Sequence, residues 1–262
     1  MIDVTAVRSL LFLPASNPRA IEKARTLPAD LIVLDLEDSV KPQDKAAARD
    51  AALLAAAQGF GKPCAIRVNA AGTPWHLDDL AAATASAAAV IVLPKVETAP
   101  APSAKPVLAM IETPTGVIAA PHIASASSVA GLMLGVNDLA AALRLPPDGG
   151  RAGLALILQS VLLAARLGGV AAFDGVFNQL DDPEGLAAEC REGRSFGYDG
   201  KSLIHPNQIE TANRIFGPSE VEIEDARALI AAAQGGAERF RDRMIEAMHV
   251  DAAKRLLARI IP

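Results

Sequence analysis

A (β/α)8 TIM barrel with extra C-terminal helices is the fold class this sequence predicts, and three observations point to it. Short runs rich in Leu, Ile and Val recur along the chain, Ala-rich stretches with helical spacing separate them, and the apolar runs number eight. An open doubly wound sheet shares much of that alternation, so the count of eight is what favours closure. The chain has 262 residues, 51% of them apolar, a length at which such barrels commonly stay one domain.

The strand candidates, in order, are LLFLP (10–14), LIVLDLE (31–37), CAIRVN (64–69), AVIVLP (89–94), VLAMIE (107–112), VAGLMLG (129–135), GVAAFDG (169–175) and KSLIH (201–205). Between them, residues 15–27, 39–58, 76–87, 153–168 and 182–197 have the spacing of crossover helices. Residues 96–106, VETAPAPSAKP, carry three prolines, each costing a helix interior roughly 3 kcal/mol, so an irregular crossover is expected there. Thr113-Pro114-Thr115-Gly116 reads as a turn. The barrel is expected over 1–216 and a helical extension over 217–262. In that extension Ser219 and Glu222 form a capping box for a helix to about Gln234, Gly235-Gly236 ends it, and a basic helical stretch closes the chain, able to pack on a neighbouring subunit.

The charge balance, 25 basic against 30 acidic residues for a net of -5, argues against nucleic acid and anionic membranes as partners. Two unpatterned cysteines, Cys64 and Cys190, argue against a disulfide framework or a cysteine zinc site, and fit a reducing cytoplasm. The first residues lack the basic and apolar regions of a signal peptide, and no run approaches the ~18 apolar residues of a membrane span.

The chemistry lies at the strand ends, where barrel active sites collect. Strand two ends in Asp35, Glu37 and Asp38, strand three in Arg67 and Asn69, strand four in Lys95, strand five in Glu112, strand six in Asn137 and Asp138, strand seven in Asp174, and strand eight in His205. Carboxylates crowded at one mouth repel one another unless a cation neutralises them. All the candidate ligands are oxygen donors, which favours Mg2+ over Zn2+, and Glu112 with Asp138, on adjacent strands, is the best pair. Arg67 suits a substrate carboxylate or developing enolate charge, and Gly135, Val136 and Asn137 bring backbone N-H groups close to the same carboxylate. Plainer readings stand beside these. Asp138 is also placed to cap a helix, Asp38 with Ser39 to open one near Lys41, Arg67 to form a buried ion pair with Asp35 or Glu37, Lys95 to pair with Glu97, and His205 to orient a loop. Arg19, Lys23, Lys41 and Lys45 are placed either to meet phosphates or to be solvated helix charges.

Eight segments in order, RSLLFLPASNPRAIEKA, DLIVLDLEDSV, IRVN, VLPKVET, IETPTGV, GVNDLAA, FDGVF and GYDGKSLIHPNQI, resemble the citrate lyase beta subunit-like branch of the HpcH/HpaI aldolase family. The likeness is dense over residues 7–216. It implies a barrel, commonly a homotrimer, that uses Mg2+ to cleave or form a carbon-carbon bond in acyl-CoA thioesters such as citramalyl-CoA, malyl-CoA or beta-methylmalyl-CoA, with glyoxylate, pyruvate or oxaloacetate as the 2-oxo acid. By motif, it implies that Glu112 and Asp138 hold the metal, Arg67 contacts the oxo acid, and Glu37 and Asp38 line the site. The C-terminal Met-Ile-Asp or Met-Val-Asp of the family's CoA lyases, whose aspartate acts in a neighbouring subunit's site, reads here as RMIEAMHV, which puts Glu246 in that place. Other readings implied are a subunit acting on an acyl-carrier-protein thioester, a metal-binding barrel without turnover, and a class II pyruvate aldolase. The last is disfavoured by the missing histidine in DLEDSV.

Overall fold

The computed structural model describes residues 2–146 and 150–260. Eight parallel strands close in chain order: β1 (Ser9–Pro14), β2 (Leu31–Asp35), β3 (Cys64–Arg67), β4 (Val90–Leu93), β5 (Val107–Ile111), β6 (Val129–Leu134), β7 (Ala171–Asp174) and β8 (Gly200–Leu203), with β8 pairing back onto β1. The strands are mostly apolar because both faces are buried, as expected for a parallel sheet under helices, with Ser9, Asp35, Arg67, Asp174, Lys201 and Ser202 the polar exceptions. Their side chains alternate between two cores. Leu10, Leu31, Val33, Ala65, Val92, Leu108, Met110, Met133 and Phe173 fill the barrel interior, while Leu11, Ile32, Leu34, Ile66, Ala109, Leu132 and Ala172 face the helical layer. A 3-10 turn at Val4–Ala6 lets Val4 and Val7 join the interior core from the amino end.

The helical layer is α1 (Pro18–Ala24), α2 (Lys45–Gln58), α3 (His76–Ala85), α4 (Pro114–Ala124), α5 (Val136–Ala142), α6 (Ala155–Gly168), α7 (Pro183–Phe196) and α8 (Ile209–Phe216). As expected, no helix forms between β4 and β5 over the proline-rich 96–106. One expectation fails at Thr113-Pro114-Thr115-Gly116. That segment opens α4 in place of a free turn, because the Thr113 side chain accepts from the Gly116 amide and Pro114 occupies the first turn, where it costs no hydrogen bond.

After the barrel comes α9 (Glu220–Ala232), opened by the reciprocal Ser219 and Glu222 box. The closing segment is not helical throughout. β9 (Glu238–Phe240) and β10 (Arg243–Ile245) form an antiparallel hairpin before α10 (Ala247–Ala258). The last residue of each short strand is buried, Phe240 and Ile245 packing against α9 and α10 in a small separate core. The last turn of α10 reaches the amino end of the barrel, where the Arg259 side chain donates to the Asp199 carbonyl.

Candidate active site

Strand parity assembles the site. In β2, Leu31 and Val33 point inward, so Asp35 does too. In β3, Ala65 points inward, so Arg67 does, and the two are register partners. On β5, Leu108 and Met110 carry the same phase to Glu112, beside Gly135 at the end of β6. Asp35, Asp38, Arg67, Glu112, Gly135, Val136, Asn137 and Asp138 all line one cavity of about 420 Å³ at the carboxyl ends of the strands.

Arg67 is pinned. Its Nε and Nη2 donate to the two Asp35 carboxylate oxygens at 2.6 and 2.7 Å, and its guanidinium stacks 5.2 Å from the Phe12 ring centroid. Asp35 is held in turn by the Glu37 and Ser39 amides at 2.9 and 3.1 Å. Burial alone would raise the Asp35 carboxyl, but the Arg67 charge and hydrogen bonds outweigh it and hold it below the usual range. The buried-pair reading and the substrate reading of Arg67 therefore coexist: Asp35 takes one edge of the fork, and Nη1 is left against Met110 Sδ at 3.8 Å and Glu37 Oε2 at 3.0 Å. That Glu37 contact is an ion pair without hydrogen-bond alignment, so Oε2 stays buried with no donor among the described residues.

Lys95, expected to pair with Glu97, pairs with Glu37 instead, Nζ to Oε1 at 2.6 Å. Glu97 is taken by the Thr113 hydroxyl at 2.8 Å. Lys95 has a left-handed backbone, φ 49°, which aims its amide at Glu112 Oε1, 2.7 Å away. Nothing in the residue types announces that turn. Lys45, weighed for phosphate contact, is buried and holds the Leu36 and Glu37 carbonyls, each at 2.8 Å, and Asn69 Oδ1 at 2.5 Å, which fixes the loop carrying Glu37.

Glu112 is 1% exposed. Burial and the charge of Glu37 push its carboxyl up to about 7, and Asp138 adds to the rise while the Lys95 amide and ammonium oppose it. Oε1 is taken by Lys95, whereas Oε2 accepts no hydrogen bond among the described residues and rests against Gly135, where an added Cβ would stand 2.3 Å away. Asp138 does not cap α5. Gly135 holds the cap position, Asp138 lies in the first turn, and its carboxylate makes no hydrogen bond or ion pair among the described residues.

Three predicted members of the ring are elsewhere, the first being Asn69, buried off the cavity with Nδ2 donating to Asp79 at 2.6 Å and Oδ1 accepting from Lys45. Asp174 follows the inward Phe173 and so faces outward, fully buried, with Lys201 Nζ at 3.0 Å and Arg151 Nη1 at 3.1 Å. His205 accepts from the Asn207 amide and opens a 3-10 turn at Pro206–Gln208. Glu246 lies at the amino end of α10, exposed, and does not line its own chain's cavity. Glu37 supports Arg67 and Lys95 from behind the wall.

A Mg2+ ion needs few protein oxygens, with water and substrate supplying the rest of an octahedron. Among the described residues no group of three or more acid, histidine or cysteine side chains converges as a metal cage. Two carboxylates on one cavity, one of them Glu112 with a free oxygen, fit the lighter demand of Mg2+.

The HpcH/HpaI aldolase/citrate lyase family model matches residues 8–104 and 101–206. A (3S)-malyl-CoA thioesterase of Cereibacter sphaeroides is 42% identical over 96% of this chain and 94% of its own. A citrate lyase subunit beta of Escherichia coli K12 is 31% identical over 96% and 92%. The crystal structure of CitE from Mycobacterium tuberculosis with magnesium, acetoacetate and coenzyme A superposes with a TM-score of 0.80 at 33% identity, covering 98% of this chain and 99% of that one. The chain belongs to the HpcH/HpaI aldolase/citrate lyase family, and it is an enzyme of lyase type.

Proposed function

We propose that this enzyme is Mg2+-dependent and cleaves, or in reverse forms, a carbon-carbon bond in a 3-hydroxyacyl-CoA that carries a carboxylate, of the malyl-CoA, citramalyl-CoA or beta-methylmalyl-CoA kind. The products are a 2-oxo acid and an acyl-CoA. The observation that carries this reading is Glu112 and Asp138, from adjacent strand ends, on one cavity with the fixed Arg67. Magnesium in the CitE relative supports the choice of ion.

When bound, Mg2+ supplies positive charge beside the substrate's hydroxyl and carboxylate oxygens. Glu112 and Asp138 would hold it. Arg67, locked by Asp35, presents Nη1 to the end that becomes the oxo acid, and a preset donor of this kind costs no reorganisation as charge develops. The first-turn amides of Val136 and Asn137 are placed to meet the same carboxylate, whereas the Gly135 amide, also expected there, is spent on the Ile111 carbonyl at 3.1 Å. As the hydroxyl becomes a carbonyl, its proton passes to a cavity acid. Asp38, which lines the cavity with no hydrogen bond among the described residues, is placed for it. The electron pair of the broken C-C bond moves into the thioester enolate, whose carbon takes a proton from a carboxylic acid. Glu246 of a neighbouring subunit in a trimer fills that role.

The test is Mg2+-dependent turnover of malyl-CoA and citramalyl-CoA with the released glyoxylate or pyruvate trapped. Glu112→Gln and Asp138→Asn are expected to lose on the order of 10²-fold or more in turnover with unchanged circular dichroism, a loss comparable to removing a key electrostatic group. Full turnover by either variant would refute the metal assignment. The identity to malyl-CoA thioesterases favours a second reading, hydrolysis of the same thioester. The same assay separates the two, since cleavage yields acetyl-CoA with glyoxylate and hydrolysis yields free CoA with malate.

A further inference from the structure

A second cavity, of about 770 Å³, lies at the opposite end of the barrel, between the last turn of α10 and the amino ends of β7 and β8. Four arginines, Arg166, Arg194, Arg255 and Arg259, line it against two acids, Asp3 and Asp199. The acids are already committed. Asp3 Oδ1 accepts from the Thr5 amide and hydroxyl, and Asp199 Oδ2 pairs with Arg166 at 2.9 Å and accepts from the Ala172 amide at 2.9 Å.

Arg194 is already paired with Glu222 at 2.7 Å and Arg166 with Asp199, but Arg255 and Arg259 have donors left over. Arg259 reaches the Asp199 carbonyl with Nη2, yet its Nε is buried with no acceptor, and its nearest carboxylate contact is 3.9 Å. Arg255, one turn earlier, makes no ion pair or hydrogen bond among the described residues. Burial, with the repulsion of Arg194, Arg166 and Arg8, pushes the Arg259 guanidinium below its usual range against the pull of Asp199. A buried donor without an acceptor beside like charges is costly unless something negative completes the set.

We propose that this arginine-rimmed cavity is a second binding site, and that it takes a small phosphate-bearing anion. Planar guanidinium forks match phosphate oxygens in pairs, and the cavity exceeds what one phosphate fills, so a diphosphate group suits it better than orthophosphate. The site is separate from the catalytic mouth, because its walls come from the amino ends of the strands.

Calorimetric titration of the full chain with sodium diphosphate, at constant ionic strength and with EDTA present, tests the proposal. Saturable binding, one anion per chain, is expected. Arg255→Gln, which removes a side chain with no other ion pair or hydrogen bond among the described residues, should weaken it roughly tenfold. Arg259→Gln should weaken it at least as much, and Glu112→Gln at the mouth should leave it unchanged. Affinity that is equal in wild type and Arg255→Gln, or that falls with Glu112→Gln, overturns the site. Citrate at matched concentration binding as tightly as diphosphate overturns the phosphate class.

Discussion

Glu112 is pulled toward ionisation by the Lys95 amide and pushed away from it by burial and by Glu37. The balance lifts its carboxyl from the ordinary 4.5 to about 7, so the metal-free native state holds a proton that the unfolded chain releases. This group's stabilising effect is therefore present below about 4.5 and is lost as pH rises through about 7, with an upper bound of about 3 kcal/mol. Urea unfolding at pH 5 and pH 8 should show that decline without Mg2+, a much smaller one with saturating Mg2+, and a reduced one in Glu112→Gln, where Glu37, also raised by burial, still contributes. A second test sits next door. The Cβ of Gly135→Ala would stand 2.3 Å from both Cβ and Oε2 of Glu112, too near the root of that side chain to be relieved by a rotamer change. Overpacking of this kind costs about 1–3 kcal/mol, and a Mg2+ titration should find affinity weakened roughly tenfold or more. That Glu112 and Asp138, at the ends of adjacent strands, share one cavity was legible in the sequence. The left-handed turn at Lys95 that orients Glu112 was not, because lysine has no preference for it.

At the scale of strands and helices, period two decides what each polar terminus does. Asp35, Arg67 and Glu112 continue the inward phase of their strands, and reading that phase from the apolar residues alone would also have turned Asp174 outward, one step past Phe173. Counting strand ends without their parity placed it wrongly at the mouth. Asp174, Lys201, Glu189 and Arg151 instead tie β7 and β8 to α7, with Lys201 entirely buried and 2.6 Å from Glu189. Lys201→Met should lower stability by about 3–5 kcal/mol, since it strips a buried acid of a partner, toward the smaller figure because Arg151 remains. Denaturant midpoints measure the loss, and Mg2+ affinity of the folded fraction should not change. The hairpin at 238–245 escaped notice for a different reason. Its strands have three residues each, shorter than any periodicity can reveal, and they are held by Phe240 and Ile245 in a core of their own.

For the whole molecule, the eightfold alternation was enough to give the closed barrel, but the relation of Glu246 to a catalytic mouth depends on chains meeting, which one chain does not contain. If neighbouring subunits share sites, inactive Glu112→Gln and Glu246→Gln chains should complement each other when refolded together, with about a quarter of the sites in random mixtures receiving both intact residues. No recovery after verified mixing would confine catalysis to single chains. Light scattering on the same samples reports whether the particle is a trimer.

The plug of Val4 and Val7 under the inner core has a kinetic corollary. With the floor sealed by side chains, no route to Glu112 runs through the amino end of the barrel among the described residues, so a fragment that settles deeper leaves past the one above it. Release of the two products should then be sequential and not random, with the oxo acid, lodged against Arg67, the last to leave.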